Sequence, residues 1–326
     1  MSDLELKVTA IEELTPSIKM FEFVNAQGGD LPAFQAGAHI DVRTGAGVIR
    51  SYSLCNDPKE RHRYVTAVLR ETEGGGGSKW MHDELKVGDV VTTSPPLQNF
   101  PLDERAPLSI LLAGGIGITP LLAMGHRLKA QRLPCHLHYC TKSPEETAFM
   151  EEVKALFGDD VTFHHDGGDP SKGIDLKATF AQRPEGAHLY ICGPAGLIRA
   201  AQEASDHWPE EAVHIELFTS ARTEEEAAEI AARSADDEGF EVELARSGQT
   251  LTIPPDKSIL DVLIDNGFGV PYACEEGWCG ACVIDLLGGK ADHRDEVLSD
   301  AEKESNSKIQ VCVSRAKPGE KLVLDL

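Results

Sequence analysis

From Leu4 to about Thr93 apolar and polar residues alternate in short segments, LELKVTAIEEL, IKMFEFV, HIDVRT, YVTAVLR and VGDVVTTSP, broken by glycines and prolines. Alternation with a period of two, punctuated by turn residues, predicts half-buried strands; this many in succession predict an antiparallel β-barrel. At Leu108 the pattern changes. Apolar strands, LSILLAG, PCHLHYC, DVTFHHD and AHLYICG, now alternate with helical stretches, SPEETAFMEEVKALF and PAGLIRAAQEA, which predicts a parallel α/β sheet covered on both faces. That part closes at HIELFTSA. The run from Arg222 to Asp237, RTEEEAAEIAARSADD, is rich in Glu and Ala and reads as an exposed linker, helical in part. Alternation resumes at Phe240 in FEVELARSGQTLTIPPDKSILDVLIDNG, a hairpin followed by a short helix. The expected fold class is multidomain: a β-barrel over 1–104, an α/β domain over 105–222, a linker over 223–238 and an α+β domain over 239–326.

A chain of 326 residues is long enough for two or three such cores. Its 31 basic and 54 acidic residues leave a net charge of −23, which argues against nucleic acid and anionic membrane surfaces and for partners that are neutral or basic where they meet it. The opening MSDLELKVTA carries acids and a lysine where a signal peptide needs an apolar stretch. The uncharged run from Ala106 to Gly125 is long enough to span a bilayer, but its four glycines and two prolines fit a strand, a tight loop and a helix start instead. Eight cysteines in such a chain fit a reducing, cytoplasmic setting better than a disulfide scaffold.

Chemistry is concentrated in PYACEEGWCGACV. Cys274, Cys279 and Cys282 have four and then two residues between them, and Cys312 follows after 29 more. This CxxxxCxxC…C order is the one by which plant-type ferredoxins hold a [2Fe–2S] cluster on four thiolates, with Gly277, Gly280 and Ala281 small enough for close backbone approach. A zinc knuckle or a disulfide pair is the alternative, and the spacing fits neither well. His136 with His138, or His164 with His165, could suggest a metal, but no third ligand is spaced to help, and Cys55, Cys135 and Cys140 read as packing.

Three further motifs stand in order before the cysteines. Arg50, Tyr52 and Ser53 form RSYS, which alone could be an ordinary strand with an exposed arginine. Gly76, Gly77 and Ser78 end a run of four glycines; this is either a bare hairpin or a loop whose free N–H groups, with the helix SKWMHDEL behind them, meet an anion. Gly115, Gly117, Thr119 and Pro120 lie in LSILLAGGIGITPLL, a strand, glycine turn and helix of the kind that seats a pyrophosphate. Cys192, Gly193 and Pro194 end the strand at Leu189.

Taken together, these motifs resemble the ferredoxin reductase superfamily, and specifically the phthalate dioxygenase and vanillate demethylase reductases, which ADHRD (Ala291 to Asp295) and VCVSRA (Val311 to Ala316) also resemble. The resemblance covers nearly the whole chain and implies an FMN-binding barrel, a nicotinamide-binding domain and a β-grasp ferredoxin domain. It implies that Arg50 pairs with flavin phosphate, that Tyr52 packs on the isoalloxazine and that Ser53 contacts the ring near its reactive nitrogen. It further places the FMN phosphate at Gly76–Ser78, the dinucleotide at Gly115, Gly117, Thr119 and Pro120, Cys192–Gly193–Pro194 beside the nicotinamide, and Phe218 close to the flavin. The implied activity is that of the reductase of a two-component Rieske non-haem iron oxygenase. NADH gives a hydride to FMN, and the cluster on Cys274, Cys279, Cys282 and Cys312 passes single electrons to a separate oxygenase, with no catalytic side chain beyond this cofactor relay. Lys142 could meet a 2′-phosphate, yet relatives with a basic residue there commonly prefer NADH. A different acceptor, such as a haem monooxygenase, and a sensor with a silent flavin site are the other readings.

Overall fold

The computed structural model describes residues 3–45, 48–71, 76–218, 228–230, 232, 234, 238–272, 275, 277–278 and 280–326. The chain forms two compact units, Met1–Phe218 and Thr219–Leu326.

In the first unit, the alternating segments become β1 (Leu4–Thr15), β2 (Ile18–Asn25), β3 (Ala38–Arg43), β4 (Ile49–Ser53), β5 (Tyr64–Leu69), β6 (Val90–Thr93) and β7 (Leu97–Gln98). They pair in the order β4-β3-β6-β1-β2-β5, with β7 on β3. A single antiparallel bridge from Leu54 to Thr66 joins the end of β4 to β5, so the sheet closes on itself as a barrel. Leu6 and Val8 point inward as the period of two requires; the register then shifts between Val8 and Ala10, where the alternation in β1 fades. Strand β5 departs from the expected pattern, because Tyr64 to Val68 are all buried. Tyr64 and Val68 belong to the barrel core, whereas Val65 and Ala67 belong to the core under the neighbouring parallel sheet. Barrel and parallel sheet therefore share packing along β5.

The parallel sheet has the order β10-β9-β8-β11-β12, from β8 (Ser109–Gly114), β9 (Cys135–Thr141), β10 (Val161–His165), β11 (His188–Cys192) and β12 (Val213–Glu216). Helix α1 (Gly77–Asp83) belongs to the barrel, and α2 (Ile118–Gln131) with α3 (Met150–Phe157) covers one face of the sheet, while α4 (Leu176–Phe180) and α5 (Ala195–Ala204) cover the other. The first strand, β8, lies between the second and the fourth, so the topological switch falls between β8 and β11. The expected helix over SPEETAFMEEVKALF is shorter. Pro144–Glu146 form a single 3₁₀ turn and Phe149 takes a left-handed φ of 57°, so the α-helix starts only at Met150.

The second unit is a mixed sheet, β14-β13-β19-β15-β17, from β13 (Phe240–Leu244), β14 (Gln249–Ile253), β15 (Val283–Gly288), β17 (Lys308–Gln310) and β19 (Leu322–Leu324), with a small ribbon of β16 (Ala291–Asp292) on β18 (Arg315–Ala316). One helix, Ile259–Asp265, starts at a capping box between Ser258 and Asp261 and buries Ile259, Leu260, Val262 and Leu263 in this unit's core. This is the α+β arrangement expected of the ferredoxin domain.

Candidate functional site at the switch point and the cysteine loop

At the carboxyl edge of the parallel sheet two turns touch. Gly117 ends the 3₁₀ turn after β8, and a Cβ built there would lie 2.1 Å from the Cys192 carbonyl oxygen; one on Gly114 would lie 2.6 Å from Pro194 Cδ. Only glycine permits this approach, so GGIG and CGP form one surface. Thr119 and Pro120 are buried in the first turn of α2, and the Thr119 hydroxyl donates to the Ile116 carbonyl at 3.1 Å. Tyr139 holds the turn from beneath, its hydroxyl donating to the Gly115 carbonyl at 3.1 Å and the Ala148 carbonyl at 3.2 Å.

The barrel reaches the same edge through β4. Ser53 is buried, and its hydroxyl donates to Glu216 Oε2 at 3.4 Å. Glu216 pairs in register with Cys192 across β12 and β11. Burial of its carboxyl, opposed by the Ser53 hydrogen bond, pushes the Glu216 pKa up to about 8. Burial and then the nearby Glu216 carboxyl push the Cys192 thiol well above its ordinary value, so it is a neutral group. Phe218 packs against the core shared by barrel and sheet. The structure thus gathers Ser53, Gly115, Gly117, Cys192, Gly193 and Pro194 around one edge, as the motifs require, and adds Glu216, which sequence reasoning missed. A half-buried, protonated carboxyl facing RSYS cannot be recognised in HIELF without knowing that β12 lies beside β11.

One strand position back from Ser53, the Tyr52 ring is partly exposed while its hydroxyl is buried with no hydrogen-bond partner among the described residues. Burial raises its pKa, so it is a protonated donor awaiting an acceptor. Arg50 is half-buried and its Nη1 donates to the Ile49 carbonyl at 2.8 Å. The start of α1 lies against it: a Cβ on Gly77 would come 2.6 Å from Arg50 Cγ. Gly76, with φ 88°, is the helix N-cap and supplies no side-chain cap. The Ser78 hydroxyl accepts from the Glu71 N–H at 3.2 Å. Gly45 and Trp80 make the same kind of close approach, a Cβ on Gly45 falling 2.4 Å from the indole Nε1. An orphan hydroxyl under a partly exposed ring, an arginine and a glycine-lined helix start fit a phosphorylated planar cofactor. A cleft of about 540 Å³, lined by Phe34, Pro58, Leu102, Arg105 and Arg127 among others, shares no residue with this edge and is not the site.

In the second unit, Cys274 and Cys279 lie outside the described residues. Cys282 and Cys312 are both buried, and pairing of β15 with β17 brings their strands together, Val283 opposite Gln310 and the Val311 N–H donating to the Cys282 carbonyl at 3.3 Å. Gln310 Nε2 donates to Cys312 Sγ at 3.9 Å. Glu275, Gly277 and Gly280 all take positive φ, 60°, 88° and 77°. Positive φ at three positions of so short a segment bends the backbone tightly, which suits a loop that wraps its thiolates around a cluster. These residues fit such a group. The Glu296 N–H donates to the Gly277 carbonyl at 2.9 Å and ties the segment after β16 to the loop.

The metal reading of the histidines changes with the fold. His136, His138 and His164 do come together, but as a hydrogen-bonded cluster: His138 Nδ1 and His164 Nε2 are 3.1 Å apart and His136 Nε2 contacts Thr162 Oγ1 at 3.0 Å. No group of three or more candidate ligands is poised for a metal among the described residues. Lys142 lies 3.9 Å from Glu146. No helix among the described residues is long and apolar enough to cross a membrane.

Comparison with known proteins agrees with this geometry. Residues 5–101 match the oxidoreductase FAD-binding domain, 111–203 the oxidoreductase NAD-binding domain and 242–317 the 2Fe-2S iron-sulfur cluster binding domain. The phthalate dioxygenase reductase of Burkholderia cepacia is 45% identical over 99% of this chain and 97% of its own. The chain belongs to the phthalate dioxygenase reductase family. It is an oxidoreductase with a flavin-binding, a nicotinamide-binding and a 2Fe-2S domain. A solved phthalate dioxygenase reductase, described as a modular structure for electron transfer from pyridine nucleotides to [2Fe-2S], superposes with a TM-score of 0.73 at 44% identity, covering 100% of this chain and 98% of that one. An intact type IV self-sufficient cytochrome P450 monooxygenase matches 99% of this chain with 41% of its own, at 37% identity and a TM-score of 0.86. The match spans less than half of that P450 chain, whereas it spans nearly all of the solved phthalate dioxygenase reductase.

Proposed function

We propose that this reductase takes reducing equivalents from NADH onto FMN and passes them singly through a [2Fe–2S] cluster to a separate terminal oxygenase of the Rieske non-haem iron class. The observation behind this reading is the meeting of β4 of the barrel with the Gly117 and Cys192 turns at the switch point, in a chain that matches phthalate dioxygenase reductase over its full length. Flavin supplies the step from a two-electron hydride donor to a one-electron carrier.

The chain's own residues hold and shield that exchange. Arg50 and the Gly76–Ser78 backbone hold a terminal phosphate, which favours FMN over FAD. Tyr52 packs on the flavin ring and offers it the hydroxyl that the protein leaves unpaired, while Ser53 sets the ring's reactive edge. Gly115 and Gly117 admit the pyrophosphate of the dinucleotide at the α2 N-terminus, with Thr119 and Pro120 fixing the turn. Cys192, Gly193 and Pro194 form the floor for the nicotinamide, and Phe218 lies over the flavin. Glu216, neutral up to about pH 8, keeps a charge away from the transferring hydride and holds Ser53 in place. Cys274, Cys279, Cys282 and Cys312 ligate the cluster.

By function the chain divides into the flavin barrel (1–104), the nicotinamide domain (105–222), a linker (223–238) and the ferredoxin domain (239–326). The cytoplasm is its expected compartment, in keeping with the free thiols of Cys55, Cys135, Cys140 and Cys192. The oxygenase is expected to be basic where it docks, because Thr223 to Leu326 carry 23 acidic and 10 basic residues, a net −13.

Heating the purified protein and chromatographing the released flavin tests the cofactor directly. FMN together with two irons and two acid-labile sulfides per chain supports the reading; FAD, four irons or zinc contradicts it. The P450 match supports a second acceptor class. A haem monooxygenase that turned over with this reductase when no Rieske oxygenase did would establish it.

A further inference from the structure

Strand β17 ends on a polar side chain in an apolar place. Gln310 is fully buried between Ile309 and Val311, which are fully buried too and belong to the core of the second unit. The two ends of its amide are treated differently. Nε2 lies 3.9 Å from Cys312 Sγ and donates to it, whereas Oε1 is buried and accepts no hydrogen bond among the described residues. An enclosed amide whose carbonyl oxygen is unmatched costs stability, and an apolar side chain of the same size would avoid that cost. The glutamine is therefore explained by what its N–H does and not by packing.

The backbone fixes the direction of that N–H. Gln310 stands opposite Val283 in the pairing of β17 with β15. Its own carbonyl accepts from the Val313 N–H at 3.4 Å and the Ser314 N–H at 3.0 Å, so the turn carrying Cys312 is folded back onto it. The Val311 N–H goes to the Cys282 carbonyl at 3.3 Å. These three backbone donors around Cys312 are committed to carbonyls, and the side-chain amide is turned to the sulfur. A thiol sulfur is a weak acceptor, which accounts for the long contact. A thiolate holding an iron-sulfur cluster carries negative charge, and a hydrogen bond to it strengthens as that charge grows.

Resting on the proposed ligation of the cluster by Cys312, we infer that Gln310 sets the cluster's reduction potential, holding it above the value that the four thiolates alone would give. Reduction adds one electron, supplied in turnover by reduced flavin, to the group that Cys312 holds. No bond of Gln310 forms or breaks, and both amide protons stay on the nitrogen. The added negative charge strengthens the N–H to sulfur hydrogen bond, so the reduced form is favoured and the electron is drawn from flavin to cluster. Gln310 touches no substrate; it acts through Cys312.

The test is an anaerobic potentiometric titration of the full-length holoprotein with dithionite and mediator dyes, the reduced cluster being followed by electron paramagnetic resonance. Gln310→Met keeps the length of the side chain and removes the donor, and Gln310→Leu removes it with a different shape. Each is expected to keep two irons per chain and to lower the midpoint by about 59 mV, a tenfold shift of a one-electron equilibrium away from the reduced cluster. An unmoved midpoint in an iron-loaded variant, whatever its melting temperature, would mean that Gln310 only packs, and would overturn the inference. Loss of iron from both variants would assign the amide to retention of the cluster instead of its potential, and would equally overturn it. Wild-type protein that held zinc, or no iron, would overturn the proposed relay itself and this inference with it.

Discussion

The switch-point edge of the first unit and the cysteine loop of the second are built in opposite ways. At the edge, Ser53 from the barrel meets Cys192 and Glu216 from two neighbouring strands of the parallel sheet; Ser53 and Cys192 are buried, Glu216 is half-buried, and all three are uncharged at neutral pH. The loop is one short run of sequence, closed by Cys312, with the exposed Val297 packed against Gly280. The contrast follows from what each must handle. A hydride needs two rings in contact with water excluded, so the chain closes around them from several sides. A single electron crosses between proteins, so its carrier must lie close to a surface that another protein can reach.

Substitutions can break this contrast, beginning with the contact between the two turns at the switch point. Gly117→Ala places a methyl 2.1 Å from the Cys192 carbonyl, where backbone meets backbone and neither side can yield cheaply. The two turns should part, at a cost of about 3 kcal/mol, with NADH-driven flavin bleaching slowed about a hundredfold or more. Bleaching of the cluster by dithionite should be unaffected. A wild-type NADH rate in this variant would mean that the turns need not touch.

Glu216 sharpens the comparison through pH. In the unfolded chain it ionises near 4.5, while in the folded chain it holds its proton up to about 8. The folded state binds the extra proton across that window, so the associated stability is whole below about pH 4.5 and is lost as pH rises through 8. Glu216→Gln stays neutral throughout. It should melt close to wild type at about pH 5 and above it at about pH 8.5, by about 1.4 kcal/mol for each pH unit of the window crossed. Melting temperatures of the two proteins that tracked each other across the range would remove the buried carboxyl from the account.

The smallest effect concerns the far face of the sheet. Burial, then His136 and His164, lower the His138 pKa to about 4. The unfolded histidine takes a proton near 6.5 and the folded one does not, so this stability is present above about 6.5 and is lost as pH falls toward 4. The ring is half-buried, which discounts the contribution to about 1–2 kcal/mol. His138→Gln should flatten the acid limb of the stability profile by that amount. An unchanged limb would show that the cluster relaxes on protonation.

These sites differ in how far the sequence discloses them. The cysteine spacing, GGIGITP and CGP each describe a local turn, and a local turn is specified by its own residues. Strands β8 to β11 were legible for the same reason, as apolar runs bounded by turn signals. Glu216 was not, because its meaning comes from β12 pairing with β11 while β4 approaches from another lobe. Nor was the buried outer face of β5: Val65 and Ala67 look like ordinary strand residues until a second core is packed on them. The late start of α3 turns on Phe149 adopting a left-handed backbone, which no periodicity in SPEETAF announces. The histidine cluster needed the register of β9 with β10 to bring His164 beside His138.

The order of the relay is tested most directly by Cys282→Ser. In anaerobic stopped-flow, NADH should bleach the flavin of this variant at the wild-type rate, and ferricyanide, which accepts from reduced flavin, should still be reduced. Delivery to the oxygenase should collapse, because the substitution removes one of the four thiolates proposed to hold the cluster. If a folded, flavin-loaded variant no longer accepted a hydride from NADH, or if the oxygenase still turned over at the wild-type rate, electrons would not travel from NADH to flavin and then to the cluster.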